Sequence, residues 1–239
     1  MQSNSLATNN CLLGQMNLSI FNLRKISKWL LTACLLLTSL ATFADSVDSV
    51  IKHFESKVIF INQSLKSNQQ SFEESPALLA KFVDESLLPL WQASKTLTGL
   101  LGSNNWNKLT LIEQASLQKG FDDTIQRYVQ EGFALYDGQS LEFVGVRLNE
   151  NATRGLLTVK VIPNVMPSFE IDFKIFKNQD SWQLYDILVQ GVSYISLKKD
   201  AFRTQLEKQG VAGILHSISD KNQGFIASAR APDLALNEQ

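Results

Sequence analysis

The stretch Trp182-Gln-Leu-Tyr-Asp-Ile-Leu-Val-Gln-Gly-Val-Ser193, followed by Phe202-Arg-Thr-Gln-Leu-Glu-Lys-Gln-Gly210, constrains the fold of this chain more than any other. Its first half alternates in the manner of a half-buried strand, and its second half switches to helical spacing and stops at glycine. A strand therefore feeds a helix almost directly.

Upstream, the apolar residues Val47, Val50, Ile51, Phe54, Val58, Ile61 and Leu65 recur every three or four positions and predict a long amphipathic helix. Ser75-Pro76 opens a second helix, which Pro89 should end or kink. A third runs from about Trp91 to Leu101, with Gly102 placed to close it. Thr110-Leu-Ile-Glu113 reads as a capping box, behind which Leu117, Phe121, Ile125 and Tyr128 form one stripe.

From Gln139 the period changes to two. Leu141–Leu148, Gly155–Ile162, Phe169–Phe176 and Trp182–Val192 predict four strands, joined by short segments of turn residues. Short links between successive strands imply antiparallel neighbours. Beyond Ser193 the chain returns to helix as far as Gly210, and Val211, Ile214, Leu215 and Ile218 suit a last short helix. The expected architecture is α+β, a four-stranded antiparallel meander covered by N-terminal and C-terminal helices. Residues 226–239 lack periodicity and are expected to form a loose tail.

The N-terminal region has the order of a secretory signal: Arg24, Lys25 and Lys28, an apolar run from Trp29 to Leu40, then Ala41-Thr-Phe-Ala44. Cleavage after Ala44 makes residues 1–44 a removed signal and 45–225 the working domain. Translation starting at Met1 or at Met16 gives the same mature chain. Leu31-Thr-Ala-Cys34 also fits the pattern before a lipid-modified cysteine, although the apolar run continues past Cys34. Export would take Cys11 and Cys34 away with the signal, leaving no disulfide, thiolate metal site or cysteine nucleophile. The 22 basic residues of the full chain less the three in the signal, against 23 acidic ones, leave a net charge of −4. An acidic surface argues against nucleic acid as a partner.

The search for catalytic chemistry is mostly negative. His53, on the polar flank of the first helix, and His216 are the only histidines; neither is expected to have a second histidine or a carboxylate at metal-ligand spacing, and both read as surface side chains. Ser193 lacks the second glycine of a nucleophile elbow. No phosphate-binding glycine loop is present, and no catalytic residue, metal or cofactor is assigned. Asp186 stands out because it interrupts an apolar strand, where an unpaired carboxylate costs several kcal/mol. It is either a structural anchor or, in an alternative reading, the acid/base of a small-molecule enzyme, helped by Asp172 or Tyr185.

The positive signal is an excess of apolar strand faces. The Trp182–Ser193 run carries the pattern W-x-x-Y-D-x-x-x-x-G-V-S, and upstream lie Leu88-Pro89, Ser94-Lys95, Leu101-Gly102, Trp106, Thr110 with Gln114, Phe121, Tyr128 and Leu135-Tyr136-Asp-Gly-Gln139. In order and spacing these resemble the MlaC family of periplasmic phospholipid carriers, the toluene-tolerance auxiliary family, over about residues 45–220. Lys198-Lys199 departs from the Tyr-Arg pair of many members. The resemblance implies a monomeric periplasmic carrier with an apolar cavity between sheet and helices. It would hold one phospholipid and exchange it between an outer-membrane lipoprotein complex and an inner-membrane ABC transporter with a lipid-binding ring, so maintaining outer-membrane lipid asymmetry. On that reading Leu157, Val159, Val161, Phe173, Tyr185, Ile187 and Val189 line the lipid site, while the opposite parity, with Leu184 and Leu188 inward, stays open. A periplasmic adaptor or chaperone without a cavity is the remaining alternative.

Overall fold

A computed structural model of the protein describes the backbone of residues 41–179 and 181–236. The chain divides into two units, Met1–Asp45 and Ser46–Gln239. The expected secretory signal lies outside the described residues except for its last four, which begin a helix.

That helix, α1 (Ala41–Ser67), is followed by α2 (Gln69–Glu74) and α3 (Pro76–Phe82). Pro76 sits in the first turn of α3, where its missing N–H costs no helical bond. A π-helical turn (Val83–Leu87) and a 3₁₀ turn (Leu88–Leu90) then bring the helical run to an end around Pro89. α4 (Ala93–Leu101) closes at Gly102, and α5 (Ser103–Trp106) is a single turn. α6 (Leu111–Phe133) begins with the expected capping box: the Glu113 N–H donates to Thr110 Oγ1 at 3.2 Å, and the Thr110 N–H donates to Glu113 Oε2 at 2.8 Å.

The strands are β1 (Ser140–Leu148), β2 (Arg154–Ile162), β3 (Phe169–Asn178), β4 (Ser181–Val189) and β5 (Val192–Ser193). They form one antiparallel meander in the order β1-β2-β3-β4-β5. There are five strands where alternation predicts four, because Trp182–Val192 does not run through as one element. Gln190 and Gly191 both take positive φ, 52° and 79°, and turn the chain so that Val189 pairs with Val192. Two consecutive positive-φ residues make the two-residue hairpin turn whose twist matches a sheet, and glycine adopts that conformation without a Cβ penalty.

β5 leads at once into α7 (Tyr194–Leu236), which is two helical segments meeting at Gly210 (φ 65°, ψ −167°). The break falls where the sequence places a helix end. Helical backbone continues to Leu236, over most of the segment for which composition predicts a tail.

Three apolar clusters hold these elements together. Leu97, Leu100 and Leu101 of α4 pack with Leu117 and Phe121 of α6 and Val211 and Ile214 of α7. Phe72, Leu79 and Val83 form a second cluster near Phe133. The third joins α1 to the sheet. Each fully buried leucine or isoleucine contributes roughly 1.5–3 kcal/mol, so the α4–α6–α7 cluster anchors the helical layer.

Candidate functional site

The register of the meander decides which side chains share a face. Leu157 pairs with Phe173, Val159 with Ile171 and Val161 with Phe169, while Phe173 pairs with Ile187 and Ile171 with Val189. Directly opposed residues point to the same side of a sheet. Six of the seven wall residues expected from the sequence, Leu157, Val159, Val161, Phe173, Ile187 and Val189, therefore lie on one face. The seventh, Tyr185, does not. Lys174 pairs with Asp186 but Ile175 pairs with Leu184, so Tyr185 is the extra residue of a β-bulge. Its ring packs against Phe176 on the opposite face, beneath the Lys95 ammonium. Neither parity holds along all of β4: Leu184 joins the wall before the bulge, Ile187 and Val189 join it after, and Leu188 faces away opposite Asp172.

A bulge takes a carbonyl out of the ladder, and a buried carbonyl needs another donor. Thr96, fully buried on α4, supplies it: its hydroxyl donates to the Tyr185 carbonyl at 2.7 Å and accepts from Trp91 Nε1 at 2.9 Å. The Gln92 N–H donates to the neighbouring Leu184 carbonyl at 2.8 Å. The start of α4 is thereby fixed to the distorted part of β4.

α1 covers one part of the apolar face. Val50, Phe54 and Val58 meet Leu157, Val159 and Ile175, with Phe143, Val146, Trp182 and Leu184 around them. At the far end of the helix the Asn62 side-chain amide donates to the Leu141 carbonyl, and the Leu141 N–H donates to Asn62 Oδ1 at 2.7 Å. This pairing satisfies the outward backbone groups of Leu141 on edge strand β1. Over Leu157, Val159 and Ile175, then, the space expected to be a cavity is occupied by α1 side chains. The wall extends beyond them: Val161, Phe169, Ile171, Ile187 and Val189 are outside that cluster. Phe169 is 39% exposed and Val189 44%. Val165 and Met166, in the β2–β3 connection at the same end of the sheet, are exposed as well. From Leu157 to Val161, Phe169 to Ile175 and Ile187 to Val189, every residue on this face is apolar. Such a wall offers nothing to a polar substrate and suits hydrocarbon.

His53, beside Phe54 on the covering helix, titrates below the ordinary imidazole range, chiefly through burial and secondarily through the nearby Lys57 charge. Its Nε2 is buried without a hydrogen-bond partner among the described residues, so His53 is not the surface side chain that its place on the helix suggests. Between the lowered folded value and the usual value of about 6.5, the unfolded chain binds more protons, so stability rises with pH across that window. Urea midpoints should accordingly fall from pH 7.5 to pH 5, and the fall should be smaller in His53→Gln.

Asp186 belongs to the opposite face and is completely enclosed. Lys174 Nζ donates to its Oδ2 at 2.8 Å, Ser193 Oγ to the same oxygen at 2.6 Å, and the Ile195 N–H to Oδ1 at 3.1 Å. The Ser196 N–H in turn donates to Ser193 Oγ at 3.1 Å, capping α7. Asp186 thus ties together β3, β4, β5 and the first turn of α7. Among the described residues no group of three or more histidine, cysteine or acidic side chains is arranged to hold a metal ion. Contrary to expectation His216 does have a carboxylate one helical turn away, Asp220 at 2.9 Å, but the pair is exposed.

The sequence profile of the MlaC protein family matches residues 58–220, more than half of the chain. The chain belongs to the MlaC family. Its structure is similar to that of the phospholipid-binding protein from Ralstonia solanacearum, which was solved in complex with a phospholipid. The two share 20% identity and a TM-score of 0.64, over 72% of this chain and 96% of the other. The MlaC-family segment contains the whole wall, the Tyr185 bulge and the Asp186 anchor, whereas Val50 and Phe54 of α1 precede it. No helix among the described residues is long and apolar enough to cross a membrane.

Proposed function

We propose that this MlaC-family protein is a periplasmic phospholipid carrier. In this reading the acyl chains lie along the wall formed by Leu157, Val159, Val161, Phe173, Ile187 and Val189, with Leu184 in place of Tyr185, and the headgroup stays in water. The carrier passes lipid between an inner-membrane ABC transporter complex and an outer-membrane lipoprotein complex, and so maintains outer-membrane lipid asymmetry. The observation that carries this reading is the all-apolar sheet face, filled by α1 at one part and left uncovered at Phe169 and Val189.

The physics sets the task. At about 0.8 kcal/mol per methylene, two chains of roughly 16 carbons lose on the order of 25 kcal/mol if bare in water, so a lipid crosses an aqueous compartment only when shielded. An open end admits the chains, and the α1 residues Val50, Phe54 and Val58 must give way as the tails advance. The acid/base alternative is disfavoured because both Asp186 oxygens already accept hydrogen bonds in an enclosed site. Organic-solvent extracts of natively purified protein should contain phospholipid in near-stoichiometric amount. Clean extracts together with no uptake from vesicles would refute the carrier reading.

A further inference from the structure

A second recess lies away from the apolar wall, between α6 and the two halves of α7, with a volume of about 140 Å³. It exists because α7 breaks at Gly210 and folds back, so that residues on either side of the break face α6 together. The Gln205 side-chain amide spans the break by donating to the Gly213 carbonyl at 2.9 Å. Phe121, Phe202, Ile214 and Ile218 give the recess an apolar floor. A space of this size is comparable to an engineered cavity of about 150 Å³ that holds a benzene ring, so it admits one compact group and not a diacyl lipid.

Its charge is one-sided. Arg127, Lys198 and Lys221 all line it, and no carboxylate does. Over the whole chain 22 basic residues nearly balance 23 acidic ones, so three cations around one recess with no lining carboxylate are a local excess of positive charge. Arg127 is held in place: Nε donates to Asn222 Oδ1 at 3.2 Å, Nη1 donates to Glu131 at 2.6 Å, and the guanidinium stacks on Tyr128 at 4.3 Å. Those two bonds leave further donors of its five N–H groups. Neither Lys198 nor Lys221 has an acceptor among the described residues. Among the neutral lining residues Ser217, Tyr128 and Tyr194 carry hydroxyl donors, whereas the Thr124 hydroxyl already donates to the Gly120 carbonyl at 2.9 Å. Burial pushes the Tyr194 hydroxyl well above the ordinary tyrosine range, so it keeps its proton.

We infer that this recess between α6 and the folded-back halves of α7 binds a phosphate group, recognised by Arg127, Lys198 and Lys221. A compact tetrahedral anion matches the volume, a guanidinium fork and two ammonium groups match its charge, and hydroxyl donors serve its remaining oxygens. The phosphate belongs either to a water-soluble ester or to the headgroup of a glycerophospholipid.

Titration calorimetry in chloride buffer of fixed ionic strength, with inorganic phosphate and with glycerol 3-phosphate, tests this. The full protein should bind both, and Lys198→Gln/Lys221→Gln should bind at least about tenfold more weakly. Both lysines reach solvent, so the variant should stay folded, and Lys221→Gln alone gives a second reading with a smaller loss in the same direction. No binding by the unaltered protein, or equal binding by the double variant, would overturn the assignment. Uptake of phosphatidylglycerol from vesicles separates the sources: reduced uptake by the double variant assigns the phosphate to a lipid headgroup, and unchanged uptake with weakened phosphate binding assigns it to a soluble ester. Lipid in extracts of the unaltered protein is read independently, so loss of the carrier reading and loss of this site are distinguishable.

Discussion

Ile187→Asp is expected to lose phospholipid uptake by about 100-fold or more while the protein stays folded. Ile187 lies opposite Phe173 on the all-apolar face, beyond the part that α1 fills, and it is half-buried. In the unliganded protein a carboxylate there can still reach water. Once an acyl chain lies over it, that water is gone and the ionised group must be desolvated or protonated, at a cost of several kcal/mol. Even about 3 kcal/mol of that cost retained in the bound state corresponds to roughly two powers of ten in affinity. The neighbouring residue supplies the control: Leu188 faces the other side of β4, opposite Asp172, so Leu188→Gln should leave uptake within about twofold of the unaltered protein. Transfer of a fluorescent phospholipid from vesicles, read beside circular dichroism, measures both variants. Equal losses in the two, or undiminished uptake by a folded Ile187→Asp, would remove the lipid from this face.

This pair of neighbours also shows what alternation reveals and what it hides. The period-two pattern of β2 and β3 placed Leu157, Val159, Val161 and Phe173 on one side, because unbroken strands obey it. In β4 one extra residue shifts the parity, and the bulge at Tyr185 is stabilised by Thr96 and Gln92, some 90 positions away in the chain. No local pattern encodes that contact. The hairpin at Gln190-Gly191 went unread for a related reason: it is only two residues long and stands between apolar residues that continue the alternation. Helix existence was legible, since the stripes of α1 and α6 and the Thr110–Glu113 box are local features. Whether α1 would fill the wall or stand away from it was not legible, because an apolar stripe packs as well against a sheet as against a guest. The α6–α7 recess was equally hidden, since its three cations come from segments brought together only by the fold at Gly210.

Asp186→Ala is expected to destabilise the protein by about 3 kcal/mol, toward the lower end of the range for breaking a buried ion pair. The substitution leaves three donors without their acceptor: Lys174 Nζ, Ser193 Oγ and the Ile195 N–H. Lys174 is one-third exposed and can turn its ammonium toward water, which softens the loss. Ser193 is buried and the Ile195 N–H belongs to the first turn of α7, so neither escapes as easily. For a domain of this size the change lowers the melting temperature by roughly 6–12 °C. Asp186→Asn should fall in between, because an amide oxygen in the place of Oδ2 still accepts from Lys174 and Ser193 while the charge opposite Lys174 is lost. Urea unfolding of the three proteins should therefore rank them Asp, Asn, Ala. Phospholipid uptake per folded molecule should be unchanged in Asp186→Asn, since Asp186 and Ile187 point to opposite faces of the sheet. An acid/base role predicts the reverse pattern: Asp186→Asn with intact stability and abolished turnover would displace the anchor reading.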